Sequence, residues 1–153
     1  MVRESGIKLI STNRKVRYFY EVVETIEAGI AIMGSEVKSL REGKVSFKDG
    51  YVDFRHGEAF LVGVYIAVYV NAGYAGHEPE RVRKLLLHDF EIARLIIAVE
   101  QKGLTVVPLK IYFKVGIAKL EIGVARGKRI HDRRDVLKDR AQARDTEREL
   151  FGS

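Results

Sequence analysis

The 153-residue chain contains no cysteine. That removes disulfides, thiolate-based zinc sites and thiol nucleophiles, and it fits a reducing compartment. Proline is scarce too, with two residues; beside abundant Lys, Arg and Glu this is only a weak pointer to thermal adaptation. No run approaches the roughly eighteen apolar residues that a membrane helix needs. The start of the chain carries Arg3, Glu4, Lys8, Arg14 and Lys15 without a long apolar stretch. A secretory signal and a membrane partner are therefore not expected, and a cytoplasmic location is. His56, His77, His88 and His131 lack metal-ligand spacing and read as surface or turn residues. The stretch from Gly123 to Arg129 is one residue short of a phosphate loop between its glycines, and Arg129 replaces the required hydroxyl. With no convergent catalytic group, neither an enzyme nor a bound cofactor or metal is expected.

What is present is positive charge. The net charge is +6 and the pI about 9.5, which favours a polyanionic partner, because clustered Lys and Arg release counterions from phosphates. Residues 1–17 hold five basic side chains against Glu4 and read as a basic arm, with 1–13 flexible, 14–126 as the folded unit and 127–153 as a basic tail.

Aromatic and β-branched residues predict strands over 18–25 and, after Gly29, over 30–33. A short helix opens at Gly34 with Ser35 as N-cap, Val37 and Leu40 inward and Gly43 as terminator. His56-Gly57 predicts a two-residue hairpin between 51–55 and 58–70. The second run is apolar on both parities and reads as one central strand covered on both sides. Residues 71–80 read as a mobile loop. The clearest helix spans 89–102, with Ile92, Leu95, Ile96 and Val99 at helical spacing and Gly103 at its end; Phe90, Ala93 and Ile97 are expected to widen the buried stripe. Strands 105–114 and 117–126 turn about Val115-Gly116. Short antiparallel strands with one well-buried helix indicate a mainly β fold, an OB-like antiparallel barrel of about six strands with two or three accessory helices.

Residues 126–150 contain nine basic and six acidic side chains but few apolar ones. As a helix this segment would place like charges at i,i+4 in Arg129/Arg133, Arg134/Lys138 and Asp135/Asp139, each costing roughly 0.2–0.5 kcal/mol. The tail is thus expected to be disordered alone and helical when docked, with its basic front, from Arg126 to Arg134, suited to RNA phosphates. Glu21, Glu24 and Glu27 form a possible carboxylate cluster for metal-dependent RNA hydrolysis; a solvated strand edge is the favoured reading.

Several blocks, taken in order, resemble one family. They are Asn13-Arg14-Lys15, Glu27-Ala28-Gly29, Gly34-Ser35-Glu36-Val37-Lys38-Ser39-Leu40-Arg41, Arg81-x-Arg83-Lys84-Leu85-Leu86-Leu87-His88, Val107-Pro108-Leu109-Lys110-Ile111-Tyr112-Phe113, Ala125-Arg126-Gly127-Lys128-Arg129 and His131-Asp132-Arg133-Arg134. From about Asn13 to Leu150 the chain resembles small protein B (SmpB). The resemblance implies an OB-like barrel that binds the tRNA-like domain of transfer-messenger RNA and delivers it to stalled ribosomes for peptide tagging. The tail would enter the empty messenger channel beside small-subunit rRNA, and the protein would act as a monomer. The implied RNA-contacting residues are Asn13, Arg14, Glu27, Glu36, Lys38, Arg41, Arg81, Arg83, Lys84 and Leu86. Lys128, Arg129, His131, Asp132, Arg133 and Arg134 would serve the ribosome. A generic OB-type protein for single-stranded or ribosomal RNA is the alternative. The chain departs from the family at Glu78, at Ala67, at Asp89-Phe90 where a basic pair is common, at Arg129 and Arg133 where lysines are frequent, and at Glu147 and Glu149, which leave no basic finish.

Overall fold

The computed structural model describes residues 6–68 and 77–128. The elements are β1 (Ile7–Thr12), α1 (Val16–Phe19), β2 (Tyr20–Ile30), α2 (Gly34–Arg41), β3 (Val45–Ser46), β4 (Tyr51–Arg55), β5 (Glu58–Val62), β6 (Tyr65–Ile66), β7 (Arg83–Leu86), α3 (Asp89–Lys102), β8 (Thr105–Lys114) and β9 (Ile117–Gly127). Seven strands form one antiparallel sheet in the order β1-β8-β9-β2-β7-β5-β4, and β3 pairs separately with β6. Edge strand β4 curls back against β8 without ladder pairing, so the sheet wraps toward a barrel and stays open. The mainly antiparallel architecture with accessory helices is the one expected.

Both expected hairpins form as the turn chemistry requires. His56 and Gly57 take φ of 52° and 74°, and Val115 and Gly116 take 51° and 77°. Two successive left-handed residues match the twist of the flanking strands. The strand expected over 58–70 is broken instead. Ala59 and Leu61 point into the core before Gly63, and Val64 and Ile66 do so after it. The inward parity therefore shifts by one residue at Gly63, whose φ of 80° redirects the chain into β6. Two apolar parities left the register open in the sequence.

Other boundaries moved for local reasons. Residues 7–12, read as part of an arm, form an edge strand paired with β8 from Ile7↔Lys114 to Thr12↔Lys110, and a register shift between Leu9 and Ser11 breaks their alternation. Of the strands expected over 18–25 and 30–33, the first becomes β2, which begins at Tyr20 after α1 and runs through Gly29 to Ile30, and residues 31–33 form no strand. In α2 the N-cap is Met33, not Ser35; Glu36 reaches back to accept the Met33 N–H at 2.8 Å.

The helix α3 has the expected limits and ends on left-handed Gly103. Ile92 and Leu95 are buried, with Ile96 and Val99 packed at the core margin. Phe90, Ala93 and Ile97 face outward, contrary to expectation. At 3.6 residues per turn they lie roughly 100–160° from Ile92, outside the stripe that meets the sheet. The core itself is continuous across the sheet's inner face, centred on Ala28, Leu61, Leu85, Leu95, Ile111 and Leu120. No helix of the described residues is long and apolar enough to cross a membrane.

Candidate nucleic-acid interface

The outer face of the sheet carries the groove of interest. Gly29 on β2 pairs with Lys119 on β9 and with Leu86 on β7, and Lys119 in turn faces Tyr112 on β8. The row Tyr112–Lys119–Gly29–Leu86 thus crosses four strands, while its neighbours Ala28, Leu85 and Leu120 alternate into the core. Gly29, having no side chain, leaves a depression of about 520 Å³ whose walls include Glu27, Lys84, Leu86, His88 and Lys119. A Cβ on Gly29 would stand 3.1 Å from Cβ and 3.3 Å from Cδ1 of Leu86. Glycine is what lets Leu86, 56% exposed, lie over the floor.

Glu27 stands two residues along β2 on the same face. The Tyr112 hydroxyl donates to its Oε2, and Lys114 Nζ lies 3.5 Å away. The Tyr112 hydrogen bond, with help from Lys114 and the field of Lys119, outweighs partial burial and holds the Glu27 carboxyl below its ordinary range. Burial, followed by the bond to Glu27, pushes the Tyr112 hydroxyl upward, so it stays protonated as a donor. Lys84 pairs with Glu58 at 3.2 Å at the surface, and Lys119 has no ion pair among the described residues. An ionised acceptor, a cation and an exposed leucine therefore converge on one glycine-floored groove.

Glu36 and Arg83 are elsewhere, and both are 0% exposed. Arg83 Nε donates to Glu36 Oε2 at 2.5 Å, Nη1 to the Val64 carbonyl at 2.8 Å and Nη2 to the Pro79 carbonyl at 3.0 Å. Arg81 Nη2 donates to Glu36 Oε1 at 2.5 Å, and Arg81 is partly exposed. Burial pushes the Glu36 carboxyl up, but hydrogen bonds from Arg81, the Met33 amide and Arg83 together bring it below its ordinary range. Burial lowers the Arg83 guanidinium, and Glu36 offsets part of that. This pair ties α2 to β7 and to the break after Gly63. His77, read as a surface residue, is also buried at this junction. The Ile66 carbonyl only accepts, so His77 Nε2 donates to it at 2.8 Å, and Nδ1 accepts from Ser35 Oγ at 2.9 Å.

The remaining expected contacts are dispersed. Asn13 is pinned to β8 by Nδ2–H to the Pro108 carbonyl, 2.9 Å, and by its N–H to the Leu109 carbonyl, 2.7 Å. Beside it Arg14, Arg17 and Lys110 line a second cleft of about 500 Å³. Lys38 and Arg41 are exposed on the last turn of α2. Lys128 Nζ donates to the Arg17 carbonyl at 2.6 Å, which docks the root of the tail against α1. Arg129, His131, Asp132, Arg133 and Arg134 lie outside the described residues, as do residues 71–76 of the expected loop and the last two residues, 69–70, of the strand expected over 58–70. Glu21, Glu24 and Glu27 engage separate partners, namely Arg126 at 3.8 Å, Arg94 at 2.9 Å and Tyr112. No group of three metal-capable side chains is assembled among the described residues.

A family model described as SmpB protein matches residues 10–151. The chain belongs to the SmpB family. It is 64% identical over 148 residues to the SsrA-binding protein of Solidesulfovibrio magneticus, a match spanning 97% of this chain and 96% of that one. It is 60% identical over 145 residues to the SsrA-binding protein of Nitratidesulfovibrio vulgaris, spanning 95% and 94%. Among solved structures, a chain described under "tmRNA-SmpB: a journey to the center of the bacterial ribosome" superposes with a TM-score of 0.68 at 51% identity, covering 83% of this chain and 93% of that chain.

Two residues of the groove in this SmpB-family chain are not among the expected site residues. Lys119 is one lysine in an alternating strand, and only its register against Gly29 brings it into the groove. Tyr112 sits in the run Ile111-Tyr112-Phe113, where an aromatic signals packing and not a hydroxyl aimed at a glutamate 85 residues away.

Proposed function

We propose that this chain binds the tRNA-like domain of transfer-messenger RNA and delivers it to stalled ribosomes, where the tail enters the empty messenger channel. The observation that carries the reading is the groove over Gly29. Unpaired RNA loops offer base edges to hydrogen-bonding side chains, while cations hold the backbone. Glu27 accepts from base or sugar donors, Leu86 packs against an unstacked base, and Lys84 and Lys119 take phosphates. Asn13 and Arg14 reach the RNA from the second cleft, and Lys38, Arg41 and Arg81 contribute charge around α2. Glu36 and Arg83 act from beneath, as positioning residues that hold α2 and β7 in place. The role is binding and delivery, with no covalent step, in the cytoplasm where ribosomes are found. Support comes from the names of the relatives, which are SsrA-binding proteins, and from the ribosome setting of the solved neighbour.

The test is a titration at several salt concentrations with transfer-messenger RNA and with an unstructured RNA of equal length. Strong preference for the former, weakening steeply with salt, supports the reading. Equal, weak binding to both would leave a generic OB-type RNA binder. Changing Lys128, Arg129 and Arg133 together to alanine is expected to spare binding to free RNA and to abolish tagging. Loss of both in parallel would refute the division between folded unit and tail.

A further inference from the structure

Beyond the groove the chain exposes an aromatic that its fold does not use. Phe90, in the first turn of α3, is 72% exposed. Its ring lies nearly parallel to that of His88, at 9° and 5.5 Å between centroids. His88 and Asp89 are themselves walls of the groove over Gly29. The stack therefore continues the groove outward, with one ring at its wall and the next in solvent.

The charges nearby decide what this ledge takes. Asp89 and Glu91 crowd the same turn, and Glu58 stands across the groove. Glu91 Oε1 is occupied by the His88 N–H at 3.0 Å. Glu58 is paired with Lys84, so a phosphate laid on the rings would meet chiefly the Asp89 and Glu91 carboxylates of their own turn, whereas a base brings a π-face without charge and amino groups that carboxylates accept. We propose that the His88–Phe90 pair is a stacking platform for one unpaired base of the RNA, which lies on the free face of Phe90. This rests on the RNA-binding reading and adds a contact to it. Apolar protein docking along Phe90, Ala93 and Ile97 is the competing use of the same helix face.

The experiment uses the full chain and the tRNA-like domain of transfer-messenger RNA, carrying 2-aminopurine in turn at each unpaired loop position. With the native chain, one position is expected to be quenched on binding. Phe90→Ala is expected to weaken binding about tenfold, in the range of one lost stacked base, and to abolish that quench. Phe90→Leu keeps apolar bulk without a π-face and is expected to behave like Phe90→Ala, while Phe90→Trp retains both signals. Ile97→Ser is expected to leave RNA binding unchanged. Because Phe90 is exposed, thermal melts should be alike for the native chain and the Phe90 variants. Native-like binding and quench in Phe90→Ala or Phe90→Leu overturns the platform while leaving the RNA-binding reading intact. Unaltered RNA binding in Phe90→Ala and Ile97→Ser, with ribosome association lost in both, assigns the face to a protein and overturns it too. If the native chain does not prefer the tRNA-like domain, the functional reading falls and the platform with it.

Discussion

Arg83→Met removes a charge that touches no solvent. In the native chain this guanidinium donates to Glu36, to the Val64 carbonyl and to the Pro79 carbonyl, and it is 0% exposed. Methionine fills much of the volume but satisfies none of the three acceptors. Glu36 keeps Arg81 and the Met33 amide, so its charge is not fully orphaned. Breaking a buried pair from one side costs about 3–5 kcal/mol. At about 3 °C per kcal/mol for a domain of this size, the melting temperature should fall by roughly 10–15 °C. The RNA titration separates this from loss of a phosphate contact. Each phosphate contact contributes about 0.7–0.9 to the slope of log K against log salt. A buried arginine makes none, so Arg83→Met, held well below its melting point, should keep the native slope. A native melt together with a slope reduced by about one contact would show that Arg83 reaches RNA and would refute the structural assignment.

The other expectations concern the groove and the titration of its neighbours. Glu36→Gln should destabilise most at neutral pH: the native carboxyl is depressed, so its contribution is full above the ordinary glutamate value of 4.5 and is lost as pH falls through the lower folded value. The gap between native and variant melts should therefore close on acidification, and a pH-independent gap would sink the argument. Tyr112→Phe deletes the donor that holds Glu27 low. RNA binding by the variant should weaken on acidification at a higher pH than in the native chain; coincident pH profiles would show that Glu27 does not depend on Tyr112. Gly29→Ala places a methyl 3.1 Å from Leu86 Cβ and should displace Leu86. A several-fold loss of affinity with a modest loss of stability is expected, and native affinity would remove Leu86 from the floor of the site.

How much was legible beforehand depended on how local the signal was. The limits of α3 and both two-residue hairpins follow from short-range chemistry: helical spacing closed by Gly103, and turns formed by His56-Gly57 and Val115-Gly116. The break at Gly63 was hidden because Phe60, Val62 and Val64 and the intervening Leu61 and Tyr65 are apolar on both parities. The groove was half legible. Glu27 and Leu86 stand out as site residues through the family blocks, whereas Lys119 lies outside the blocks and Tyr112, though within one, joins the groove only through cross-strand register, which no window of sequence displays. The same limit explains Arg83 and Lys84. Adjacent in a basic run, they alternate on β7, one into the core and one to the surface. Charge alone cannot separate a buried positioning arginine from an exposed lysine; the strand's period of two does.

Glu27 and Glu36 make the same point in chemistry. Both carboxyls are held below the ordinary range, but one is satisfied by the partly exposed Arg81, the Met33 amide and the buried Arg83, and the other by a tyrosine hydroxyl and lysines at the surface. Only the second has acceptor capacity left for a partner. On the proposed reading that residual capacity matters more than net charge. A groove lined by lysine alone would hold any phosphate backbone and gain affinity without discrimination. An ionised carboxylate on the strand next to Lys119 and diagonal to it, since Glu27 pairs with Glu121 and Gly29 with Lys119, repels a phosphate at its own position and accepts an amino or hydroxyl donor instead. The backbone is thereby kept to Lys119 on β9 and Lys84 on β7 and away from Glu27 on the strand between them, where the base is accepted beside Leu86. Orientation is imposed by repulsion as much as by attraction, the usual route to selectivity when attraction alone is shared by every competitor.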